Sequence, residues 1–310
     1  MGHWRLIAGS GLIAALVIGW PIAAGAQGRP TDLSLTASQS RTDRTEDVEP
    51  APKLELDPSR FEFSLDTYLG RPGGYIRAGE NGVRGSRLRL NDDLGIRVSE
   101  AADASAVFHL TPRDGVRVSF LYYFLRGQSL LDRSIVYNAE QFTAPGHVTT
   151  NADFYRLSLA YERTAIVPGG FLTGSLGLTY VHLDPELTGH PSIGRSHSNA
   201  EDFSRAALPV PVVGLRFDIP MGNGFAAKAS IGGGGLPRID SGRKESGSTV
   251  HLEQIHGDAA MALTYAITKN LVFDIGPRLT YFFQREKSSH DENTFELVDF
   301  GLRAGLTFKF

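Results

Sequence analysis

The sequence contains no cysteine. That excludes disulfides, thiolate metal sites and thiol nucleophiles, and with them the lipidated cysteine that an exported lipoprotein would need. An excess of one charge is lacking as well. Lys and Arg number 31 against 34 Asp and Glu, a formal net charge of −3, without the basic surplus that nucleic-acid binding demands. No stretch beyond residue 22 approaches the roughly 20 consecutive apolar residues of a membrane helix, so a helical membrane protein is excluded there. With 41% hydrophobic and 21% charged residues, the average looks soluble. Averages do not detect a barrel, however, because only alternate side chains of its strands face lipid. Period is the deciding signal, and 310 residues suit one large all-β domain.

Residues 1–26 read as a secretory signal: His3 and Arg5, an apolar run from Leu6 to Trp20, then Ala24-Gly25-Ala26 as a cleavage site. Residues 27–58, rich in Ser, Thr, Asp, Glu and Pro, offer too little apolar surface to order themselves and are expected to form a disordered periplasmic lead. The barrel is expected over 59–310.

From Phe61 onward, segments of about ten residues alternate between an uncharged face and a polar one, separated by turns. Phe61, Phe63, Leu65, Thr67 and Leu69 share one face, with Glu62, Ser64, Asp66 and Tyr68 between them. Further segments read Ala104 to Leu110, Val116 to Phe124, Tyr155 to Tyr161, Leu172 to Tyr180, Pro211 to Ile219, Phe225 to Ile231, Ala259 to Ile267, Leu271 to Phe283 and Val298 to Phe310. Turn chemistry joins several of them, as in Pro112-Arg113-Asp114-Gly115 and Met221-Gly222-Asn223-Gly224. Brief turns near 112, 165, 221 and 268 alternate with long polar loops expected at 70–101, 126–151, 184–208, 232–253 and 285–294; the short ones belong on the periplasmic side. The fold expected is all-β, a transmembrane antiparallel up-and-down β-barrel of about ten strands, with eight or twelve left open by the Arg87-Leu88-Arg89-Leu90 alternation. That stretch fits a loop hairpin, an inward lid or an extra strand pair. The rival is a soluble sandwich, which also alternates.

Phe310 at the end of the chain, with Phe308 and Leu306 at alternate positions before it, resembles the signal by which outer-membrane barrels are recognised by their assembly machinery. The region 59–310 is similar to the small outer-membrane β-barrel proteins of Gram-negative bacteria, the OmpA/OmpX/OmpW-like group. Two loop stretches, Arg84 to Gly95 and Tyr137 to Gly146, look like those of poorly characterised members. The resemblance implies an outer-membrane location, with lipids, lipopolysaccharide and, during insertion, the barrel assembly machinery as partners. It specifies no activity.

The inward phase carries Glu62, Asp66, Glu162, Asp218, Asp258, Asp274 and Asp299 against Arg117, Arg156, Arg216, Lys228, Arg278, Arg303 and Lys309. Balanced charge in so narrow a barrel predicts paired networks, because an unpaired buried charge costs several kcal/mol, and hence a largely plugged lumen. Gly232 to Gly235 lacks the Lys-Ser/Thr of a phosphate loop and reads as a flexible exit from a strand. Seven histidines, His147, His182, His190, His197, His251, His256 and His290, fall in or beside the expected loops without tight ligand spacing, so no metal and no cofactor is called for. Arg71, Arg77, Arg84, Arg87, Arg89 and Arg97 crowd the first loop, and Arg84, Arg87 and Arg89 are candidates for bidentate contact with lipopolysaccharide phosphates. Ten strands is also the architecture of the omptin surface proteases, which puts Asp92, Asp93, His197, Ser198, His290 and Asp291 forward as rim residues of a hydrolase, although no spacing joins them. The preferred reading is a non-enzymatic barrel with a structural or surface-interaction role; the alternatives are a narrow channel for small solutes and a rim-active hydrolase.

Overall fold

The computed structural model describes residues 59–191, 197–200, 203, 208–245 and 248–310; the expected signal peptide and lead lie outside them. Ten antiparallel strands form the wall: β1 (Phe61–Gly79), β2 (Ser99–His109), β3 (Asp114–Phe124), β4 (Phe154–Val167), β5 (Gly170–Leu183), β6 (Val210–Gly222), β7 (Phe225–Glu245), β8 (Ser248–Ala266), β9 (Leu271–Lys287) and β10 (Glu292–Lys309). Each pairs with the next, and β10 returns to β1 from Glu62↔Lys309 to Gly79↔Glu292. The sheet closes on itself and leaves no edge, which a membrane demands because an unpaired backbone group has no water to bond there. Arg60 N–H donates to the Phe310 carbonyl at 2.8 Å, so both ends of the wall meet on the side of the tight turns. At one of these turns Gly222, Asn223 and Gly224 take φ of 84°, 53° and 79°, the left-handed region that glycine and asparagine tolerate. At another, Thr111 Oγ1 donates to Asp114 Oδ2 at 2.7 Å.

The predicted alternation is present in three dimensions. Leu65, Leu69, Phe120, Leu157, Leu215, Leu279 and Leu302 all point outward and are exposed, and Met261 and Phe300 reach 65% and 62% exposure. Water-soluble monomers rarely bare apolar surface on this scale, and a continuous ring of it marks a membrane-facing belt. Aromatic residues mark the two rims, with Phe61 against Phe310 (5.9 Å between ring centroids) and Phe225 against Tyr265 (4.7 Å) at one end and Tyr122 against Phe124 (4.7 Å) at the other. At mid-belt, Leu302→Arg should lower unfolding free energy by about 2–4 kcal/mol, read from urea midpoints of the protein refolded into vesicles. A loss below about 1 kcal/mol would place Leu302 out of hydrocarbon.

Several boundaries differ from the sequence reading. β1 runs 19 residues, β7 runs 21 and β10 runs 18, against the roughly 9–11 needed to cross a bilayer. The stretches expected as loops at 232–253 and 285–294 are therefore largely strand, rising above the membrane. The reason is an inversion of polarity. Above the belt outward positions turn polar, as at Arg77, Arg285 and Glu296, while apolar side chains point inward, as at Ile76, Phe295 and Leu297, interleaved with buried Gln284, Glu286 and Asn293. A lipid-facing pattern is absent there, so strand resembles loop. Gly232 to Gly235 is no flexible exit but mid-strand: a Cβ on Gly234 would meet the Pro211 carbonyl oxygen of the neighbouring strand. The expected loops 126–151 and 184–208 hold a small sheet of Arg126–Leu131, Gly146–Asn151, Glu186–Pro191 and His197–Ala200. The Leu88–Arg89 stretch pairs with Tyr75–Ile76 on β1, next to the point where β2 leaves off.

Candidate functional site: a lumen in two tiers

The lumen was expected to be polar throughout. Instead it divides into a largely apolar tier at the extracellular end and a charged tier below it. Inward side chains of the upper wall, Leu121 and Tyr123 on β3, Phe154 on β4, Val181 and Leu183 on β5, Phe282 on β9 and Phe295 and Leu297 on β10, form one buried cluster. The segment 80–98 tucks Leu88, Leu90, Leu94 and Ile96 into it, each fully buried. Phe154 stacks on Tyr123 (4.8 Å) and Phe282 (5.7 Å) and meets Phe295 edge-on (6.1 Å). Of the three readings of Arg87-Leu88-Arg89-Leu90, the inward lid fits its leucines and a two-residue strand its backbone.

Beneath the aromatics the charged side chains form three groups. In the first, Asp258 Oδ2 accepts from Arg156 at 2.7 Å and its Oδ1 accepts from Arg278 at 3.0 Å. Thr280 also donates to Asp258 (3.1 Å) and accepts from Tyr123 (3.2 Å), which ties this group to the apolar tier. In the second, Arg303 bridges Asp274 at 2.6 Å and Asp66 at 3.6 Å. Gly305, opposite Asp66, makes room, for a Cβ there would collide with the Asp66 carboxylate. In the third, Glu162 accepts from Arg117 at 2.5 Å, and Arg216 lies 3.8 Å from Glu162 and 3.0 Å from Asp218.

The fourteen predicted residues do not pair one to one. Asp299 accepts from Ser99 at 2.6 Å and Glu62 lies 3.2 Å from His109, while Lys228 has no carboxylate within 4.0 Å among the described residues. Asp103, 3.5 Å from Arg278, and His109 were missed, although they share the inward phase of β2 with Ser105, opposite the outward Ala104, Ala106 and Phe108. His256 sits inside the barrel, not beside a loop: it is 4% exposed and packs on Phe282 at 5.0 Å.

The other candidates lie at the extracellular rim. Arg87 stacks over the Tyr75 ring at 3.9 Å, Arg89 pairs with Asp92 at 3.3 Å and Arg133 with Asp93 at 3.2 Å. These five charged residues line a shallow pocket of about 440 Å³ in which Arg84 takes no part. Arg71 and Arg77 belong to β1, and Arg97 is exposed just before β2. His147 lies opposite His190 in the register, His197 opposite Gly189, His182 is 2.8 Å from Asp184 and His251 is 2.6 Å from Asp240. Ser198 hydrogen-bonds to Glu186, and His290 and Asp291 close the β9–β10 hairpin over Ser288. Beside it Arg285 donates to Glu292 at 2.6 Å, which holds that carboxyl below its ordinary range. Among the described residues no three His, Asp or Glu side chains come together to hold a metal. Nor does any described hydrogen bond join Asp92 or Asp93 to a histidine.

A closed antiparallel wall, an apolar exterior, tight turns at one end and tall strands at the other place this chain among known architectures. The fold is that of an outer-membrane β-barrel. The outer membrane protease OmpT from Escherichia coli superposes with a TM-score of 0.50 at 12% identity, over 84% of this chain and 99% of that one. The transport unit of the autotransporter AIDA-I from Escherichia coli matches with a TM-score of 0.40 at 8% identity, over 83% of this chain and 92% of that one, and Neisserial surface protein A with 0.31 at 12%, over 81% and 98%. No family model and no curated protein matches the sequence. At these identities the likeness concerns fold alone. Together with the apolar belt it puts this barrel in the outer membrane.

Proposed function

We propose that this barrel is a closed outer-membrane protein with a structural or surface-interaction role, rather than a solute channel. The carrying observation is the buried cluster of Tyr123, Phe154, Phe282 and Phe295 sealed by Leu88, Leu90 and Leu94. A pore needs a continuous wet path, and ten strands leave little width once aromatic rings meet across the lumen. The working surface is then the extracellular extension, where Arg87, Arg89 and Arg133 outnumber Asp92 and Asp93 and suit the phosphates of lipopolysaccharide. A hydrolase is not proposed, because general acid–base work needs hydrogen-bond reach and Asp92 and Asp93 are engaged by Arg89 and Arg133.

Planar-bilayer recording tests the closure. The intact protein should give no resolved conductance steps. A variant with residues 84–96 replaced by a short Gly-Ser linker withdraws the four buried aliphatic side chains and should give frequent openings. Large uniform steps from the intact protein would overturn the proposal.

A further inference from the structure

The charged tier does not fill its space. Below the Arg278–Asp258 group lies a cavity of roughly 1100 Å³ whose lining includes Ser59, Arg60, Lys269, Asn270 and Phe310, residues of the strand ends and tight turns. It therefore opens at the periplasmic mouth. It exists because β7 and β8 turn small side chains inward, Ala226 and Ser230 from one and Ala260 and Ala262 from the other, while the opposing walls carry arginines and carboxylates.

From that small-residue wall a single long side chain enters, Lys228. The carboxylates lining the cavity are occupied: Glu62 by His109, Asp66 and Asp274 by Arg303, Asp218 by Arg216. Lys228 has no carboxylate within 4.0 Å among the described residues, and none pairs with Arg60 or Lys269 at the mouth. Seven basic and four acidic side chains line the cavity, a side-chain surplus of three positive charges; Glu162, behind Arg117, reduces this to two. A chain whose formal charge is −3 overall thus concentrates positive charge inside one wet, confined space. There, field lines are focused and counter-ions gather.

We propose that this vestibule is a binding site for a small polyanion entering from the periplasm, with the Lys228 ammonium as its central contact, Arg216 beside it, and Arg60 and Lys269 at the entrance. The ligand class is a di- or triphosphate group or a compact oligocarboxylate, since two or more negative charges match the surplus. The cavity is at the upper end of the size that small-molecule sites occupy.

Calorimetric titration of the full mature protein in zwitterionic detergent with inorganic pyrophosphate tests this. Saturable binding is expected, weakening as salt is raised toward about 0.5 M because the contact is ionic and partly screened. Lys228→Met should weaken binding by about tenfold or more while Lys228→Arg retains it, and Arg84→Ala, far from the vestibule, should leave it unchanged. A second readout needs no variant: in the wild-type protein pyrophosphate should slow acetylation of Lys228 by acetic anhydride but not that of Lys287 at the extracellular tip. Absence of binding at millimolar pyrophosphate, equal affinity of Lys228→Met and wild type, or unchanged acetylation of Lys228 would each overturn the proposal.

Discussion

Phe154→Ala is expected to cost about 3–5 kcal/mol of unfolding free energy, the range for removing a buried aromatic ring from a packed core. The ring is 4% exposed and contacts Tyr123, Phe282 and Phe295 at once. No neighbour is positioned to collapse into the gap, because those three rings are fixed to separate strands, β3, β9 and β10. Leu157, three residues along β4 and facing lipid, is the matched control. Acyl chains fill the space left by Leu157→Ala, so its loss should stay near about 1 kcal/mol, the transfer term without a cavity. Urea unfolding from vesicles measures both. Equal losses at the two positions would mean that the upper lumen is not packed as a core.

That contrast also marks what the sequence made legible. Within the bilayer, side chains meet two solvents of opposite kind, so every strand writes its phase in alternate residues. A count of about ten strands, with eight or twelve left open, and the phase that turns Asp66, Arg117, Asp258 and Arg303 inward were readable in this way. Above the bilayer both faces of the wall lose that contrast: the outside meets water and the inside mixes Phe295 and Leu297 with buried Gln284 and Glu286. Phe282, Phe295 and Leu297 therefore continue the strands with reversed polarity, and the stretches around them read as polar loops. The lid, one of three readings of its stretch, stayed undecided for a related reason. Leu88, Leu90, Leu94 and Ile96 alternate with polar residues over too short a run to distinguish a strand from an inward-folded loop. Asp103 and His109 were a different matter, for the alternation of Ala104, Ala106 and Phe108 already implied them. Which acid meets which base needed three dimensions, since Asp258 and its partner Arg156 stand 102 positions apart. So did the vestibule, because a cavity is the sum of what several small side chains leave unfilled.

Asp258 holds two arginines together, which makes Asp258→Ala the sharpest test of the charged tier. Its removal leaves Arg156 and Arg278 facing each other without the carboxylate between them, and among the described residues Arg278 retains only Asp103 as an acidic partner, at 3.5 Å. The Arg278 side chain is 7% exposed, so water does little to replace the lost partner. Breaking a buried ion pair from one side costs about 3–5 kcal/mol, chiefly because the surviving charge stays buried. The origin of that cost dictates a second result. Adding Arg156→Met to Asp258→Ala removes one of the stranded charges and should recover about 1–2 kcal/mol, so the double variant should be more stable than the single one. Arg156→Met alone should cost less than Asp258→Ala, because Arg278 and Thr280 still satisfy the carboxylate at 3.0 Å and 3.1 Å. If the double variant is instead less stable than Asp258→Ala by the full cost of Arg156→Met, the two residues are uncoupled and the network is merely three separate contacts.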